Sequence, residues 1–117
     1  MLSEHSDRFE GMIEYSGGEI LLSIDKPISP ETRDELESNV RENVDVIYSK
    51  AIDFFNQVKD ERGIGYIDDL SDPQVMASKY HLSVYWSSAL GEIRGESTIG
   101  VDLKVSTLEP IDLTIGD

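Results

Sequence analysis

"SDPQVMASKYHLSVYW" (residues 71–86) joins helix-entry chemistry to a strand, and the strand count depends on where one gives way to the other. Asp72 before Pro73 reads as an N-cap followed by proline at the first helical position, where a missing N–H costs nothing. Ser71 with Gln74 offers a capping box one residue earlier. The pattern predicts a short helix over "PQVMASKY" (73–80). The period then changes. In "HLSVYWSS" (81–88) Leu82, Val84 and Trp86 share one face and His81, Ser83 and Tyr85 the other, the alternation of a half-buried strand.

Working outward, "GIGYIDDLSD" (63–72) is the one linker, and a long helix precedes it. Ser29 is its N-cap, Pro30 takes the first position, and Glu31 complements the dipole. Leu36, Val40, Val44, Ile47, Tyr48, Ala51, Ile52, Phe55 and Val58 then recur at the three- and four-residue spacing of an amphipathic helix. Arg33–Glu37, Glu37–Arg41 and Arg41–Asp45 are opposite-charge pairs at i,i+4, and Gly63 closes the helix. About 32 residues at 1.5 Å each make roughly 48 Å, against a body roughly 35 Å across for a chain of this size. A bend or break near Asn39–Asn43, or an overhanging end, is expected. Before the helix, "RFEGMIEY" (8–15) and "EILLSID" (19–25) alternate, with Gly17-Gly18 supplying the positive φ of a hairpin turn. After the strand at 81–88, "ALGEIRGEST" (89–98) reads as a turn plus a weak strand, and "IGVDLKVS" (99–106) and "IDLTIG" (111–116) alternate again. The expectation is a single α+β domain over 1–117: a mainly antiparallel sheet of five or six strands packed against one long and one short helix.

Composition narrows function. The 117 residues carry 24 Asp and Glu against 10 Lys and Arg, a net charge of −14. Such a field repels nucleic-acid phosphates and anionic lipid and attracts basic surfaces, so neither nucleic acid nor membrane is expected as a partner. There is no cysteine, which fits a reducing cytoplasm. "MLSEHSDRFEGM" (1–12) has no basic region followed by an apolar core, so no signal peptide is expected, and no apolar run exceeds three residues, as at Ile20–Leu22.

The chemical motifs are thin. Numbered as a calcium loop from Asp68, the third, sixth and twelfth positions are Leu70, Pro73 and Lys79, where an oxygen ligand, a glycine and a glutamate are needed. His5, expected in a frayed terminus, and His81 are too far apart in sequence for a zinc motif, and no metal or other cofactor is expected. Neither Gly-x-Ser-x-Gly nor a nucleotide-binding glycine pattern occurs. The acids Asp68, Asp69 and Asp72 with Tyr66, and the outward Tyr85, are the candidate partner-binding residues: carboxylates and tyrosines suit a basic protein surface.

"FEGMIEYSGGEILLSID" (9–25), "VIYSKAIDFF" (46–55), "SDPQVMASKYHLSVYW" (71–86) and the closing "IGVDLKVS" and "DLTIGD" resemble a group of small bacterial domains of unknown function. Several of these occur beside polymorphic toxins as immunity proteins. The family's late strands often carry an aromatic-x-Gly-His step; "TIGV" (98–101) stands in its place here, so no role of that histidine carries over. The resemblance implies a non-enzymatic cytoplasmic immunity protein that occludes the active site of a basic toxin, such as a nuclease-type toxin domain. The alternatives are a metal-dependent hydrolase using the 68–72 carboxylates and a housekeeping oligomer subunit, such as a homodimer through the outer sheet face.

Overall fold

The computed structural model describes residues 2–92 and 95–116. In chain order the elements are β1 (Ser3–Glu4), β2 (Arg8–Tyr15), β3 (Gly18–Asp25), α1 (Pro30–Val58), β4 (Ser71–Ala77), β5 (Leu82–Glu92), β6 (Gly95–Leu103) and β7 (Pro110–Gly116). The class is α+β: the described residues form one helix and a seven-stranded sheet whose strands lie in chain order. Every neighbouring pair is antiparallel except β3–β4, which is parallel because α1 carries the chain back between them.

The short helix expected over 73–80 is absent: 71–77 is strand β4, and 78–81 is the turn into β5. Val75 and Ala77 are buried on the helix side of the sheet, while Gln74 and Met76 point the other way. Pairing on both sides, to β3 and β5, outweighs the local capping signal. Proline is tolerated in this central strand because a bulge falls there: the register passes from Ser71↔Ser87 to Gln74↔Tyr85, leaving an extra residue on β4. Asp72 is a bulge residue with φ 51°, not an N-cap.

The long helix forms as expected, with Ser29 Oγ accepting from the Thr32 amide at 3.2 Å. It runs without a break through Asn39–Asn43, where the Asn43 side chain donates to the Asn39 carbonyl at 2.8 Å. Regular helix ends at Val58. A further turn closes at Gly63, whose φ is 73°, with the Ile64 amide donating to the Lys59 carbonyl and the Gly63 amide to that of Asp60. Its 29 residues span about 43 Å. The molecule is elongated on the same scale, 41 × 28 × 25 Å. Of the three i,i+4 pairs, Glu37–Arg41 forms at 2.9 Å. Arg33 instead meets Asp34 and lies over Phe9, and Asp45 accepts the Ser16 amide at 2.6 Å.

Val40, Val44, Ile47, Ala51 and Phe55 press onto one sheet face. There Trp86 meets Phe55 and, edge-on, Tyr48, whose hydroxyl receives its indole N–H at 3.4 Å. The N-terminus is not frayed at His5: β1 pairs with β2, and the His5 amide donates to the Arg8 carbonyl at 2.7 Å. Of the stretch read as a turn plus a weak strand, Ile93 and Arg94 lie outside the described residues, and the remainder belongs to β5 and β6. No described helix is long and apolar enough to cross a membrane.

Candidate protein-binding face

α1 covers only one face of the sheet. Across the other, the register aligns an outward row Met12–Leu21–Gln74–Tyr85–Gly100–Thr114. Met12 is 52% exposed, and Leu21 and Tyr85 are half-buried. Tyr85 lies across Gly100: a β-carbon there would stand 2.5 Å from Cε1 of the Tyr85 ring and 2.9 Å from Thr114 Oγ1. Glycine is what lets the ring lie flat, so half of Tyr85 is structural cover and half faces solvent.

The neighbouring row begins with two glutamates. Glu14 and Glu19 are directly opposite across the β2–β3 hairpin, both exposed, and among the described residues neither has a cation at ion-pair distance. Like charges directly opposite on a sheet are destabilising. Glu19 and Asp72 join Met12, Leu21, Pro73, Gln74 and Ser87 in lining a groove of about 360 Å³. The result is an apolar strip of Met12 and Leu21 edged by three carboxylates.

The five sequence candidates therefore separate. Asp72 and Tyr85 stand on the open face. Tyr66 and Asp68 are exposed on the 59–70 loop, on either side of Ile67, which is buried in the core under the helix. The structure does not bring these two onto the strip. Asp69 is already engaged: its carboxylate accepts the Ser88 hydroxyl and, at 2.7 Å, the Ala89 amide. The Ser88 hydroxyl and then the Ala89 amide hold the Asp69 carboxyl below its ordinary pKa of 3.8, although partial burial opposes them. Asp69 fastens the loop to β5. Among the described residues no group of three or more His, Asp or Glu side chains is placed to hold a metal ion.

Glu14, Glu19, Met12 and Leu21 escaped the sequence reading because of the turn. The turn residues are Ser16 and Gly17, with Gly18 (φ 128°) already paired to Tyr15. A turn at Gly17-Gly18 keeps the same faces but sets Glu14 against Leu21. The signal was "EYSGGE" (14–19): shifted by one residue, the same hairpin brings the two glutamates together.

No family model matches the chain, and neither a curated protein nor a solved structure does.

Proposed function

We propose that this is an acidic protein-binding protein of the immunity type, which neutralises a basic toxin by covering its active site with the open sheet face. The observation that carries this reading is the Glu14–Glu19 pair. Two uncompensated carboxylates facing each other beside an exposed methionine weaken the free fold, and local rules are commonly broken in this way at functional sites. A cationic partner relieves that repulsion on binding. The net charge of −14 steers such a partner in, and Met12 and Leu21, with Tyr85 beyond Gln74 in the same row, supply an adaptable contact. The resemblance to domains found beside polymorphic toxins points the same way.

The test is co-purification with the products of neighbouring reading frames. The expected result is a basic toxin domain that is inhibited and held at low salt, released as salt rises, and held more weakly by Glu19→Lys. The reading fails if those products include no basic partner, or if the complex is indifferent to both salt and the charge reversal.

A further inference from the structure

The molecule's cations are distributed unevenly. Arg8, Lys26, Arg33, Arg41, Lys50 and Arg62 all sit in ion pairs. Three described cations have no carboxylate at ion-pair distance, in a chain with 24 acids to choose from: Lys59, which lies over the Phe55 ring, and the pair Lys79 and Lys104. Lys79 and Lys104 line one cleft of about 720 Å³, together with Tyr80, His81, Tyr85 and Ile111.

This cleft lies at the end of the sheet where two turns meet. Leu82↔Leu103 is the last ladder pair of β5 and β6, so His81 and Lys104 follow it as neighbours on the two strands. The β4–β5 turn is pinned on both sides: the Ser78 amide donates to the His81 carbonyl at 2.8 Å, and the His81 amide donates to Ser78 Oγ at 3.2 Å. Lys79 and Tyr80 occupy the two corner positions, with Lys79 Nζ 5.4 Å from the ring centroid. The β6–β7 turn is closed by the Lys104 amide donating to Glu109 and the Leu108 amide to Lys104. Two ammonium groups are thus carried on backbone that is already ordered. Beside them are apolar groups a solvated turn does not need to expose: Tyr80 is 75% and Ile111 56% exposed.

We propose that this cleft binds a small molecule with an oxyanion, carboxylate or phosphate, attached to an apolar body. The two lysines at the rim take the oxyanion through charge-assisted hydrogen bonds. Asp102 also lines the cleft, and its carboxylate accepts the Ser83 hydroxyl at 2.6 Å. It repels negative charge within the cleft, which places the oxyanion at the lysines and the uncharged body over Tyr85 and Ile111. The site does not depend on the protein-binding reading, because it shares only Tyr85 with the open-face row.

The test is an amide NMR titration with phenylacetate and phenyl phosphate, using benzyl alcohol as the neutral control. Either acid should bind with a Kd of about 1 mM or tighter and perturb 78–85 and 102–106. Benzyl alcohol should bind about tenfold more weakly, and Lys79→Gln with Lys104→Gln should reduce the acids to its level. The tighter acid identifies the oxyanion. Both lysines are exposed, so the double variant should keep its Tm. The proposal is overturned if neither acid perturbs these residues, if the alcohol binds equally, or if the double variant keeps its affinity.

Discussion

Two rows of side chains on the same six strands, one residue apart along each, have opposite characters. The inward row, Gly11–Leu22–Val75–Val84–Val101–Leu113, lies under α1 and is almost wholly aliphatic. The outward row, Met12–Leu21–Gln74–Tyr85–Gly100–Thr114, mixes flexible, small and polar groups. Burying a valine or leucine contributes about 1.5–3 kcal/mol, so the inward positions are held by volume. The helix α1 does not cover the outward positions, and their identities answer to other demands: glycine under a tyrosine ring, and glutamate opposite glutamate. Stability resides on one face and spare chemistry on the other.

The contrast is broken most forcefully at Trp86, which fills the space between Tyr48 and Phe55. Trp86→Ala should cost about 3–5 kcal/mol, read as a lowered urea midpoint. A loss below about 1 kcal/mol would mean that the inner layer is not held by packing.

Gly100→Ala tests whether the outer face is also packed at one point. It should cost about 1–3 kcal/mol, because the new methyl meets the Tyr85 ring. Adding Tyr85→Ala should recover part of that loss, a coupling measurable in a double-mutant cycle. Purely additive effects would leave Tyr85 free of structural duty and wholly available to a partner.

Asp69 sharpens the comparison at the sheet's end. Its folded-state pKa lies below 3.8, so its stabilisation is present above that value and lost as pH falls through the lowered one. Asp69→Asn should therefore lose stability near neutral pH and converge on the parent in acid. Urea midpoints at the two pH values read this directly. Protonating the other acids relieves repulsion in both proteins, and the difference between them cancels that contribution. A gap that does not narrow in acid would show that the Ser88 and Ala89 bonds do not depend on the charge.

The smallest effect is the most telling. Glu19→Lys places an ammonium opposite Glu14 and should raise stability by about 0.2–1 kcal/mol while weakening a basic partner. Stability and binding moving in opposite directions is what a surface kept for a partner predicts. Both falling together would remove the pair's role.

Much of the fold was legible. The hairpin faces, the Ser29 cap, the helical stripe and the alternation of β5, β6 and β7 all follow from periods of two and 3.6, which are local properties of the chain. The 71–77 segment was not. Its capping letters are as good as those at Ser29, but whether Val75 and Ala77 enter a sheet depends on β3 and β5, which are distant in sequence or follow later. The candidate face was legible only in part. Asp72 and Tyr85 could be picked by type, whereas Asp69 looked the same as Asp68 until Ser88 and Ala89 engaged it.

The sequence by itself determined the charge, the α+β class and which side of each alternating strand faces the core, because hydrophobic period and net charge need no partner strand. Only the tertiary structure decided the cross-strand neighbours. Glu14 meets Glu19, Tyr85 covers Gly100, and Lys104 stands beside His81, because ladder register and turn position, long-range properties, set which side chains share a surface.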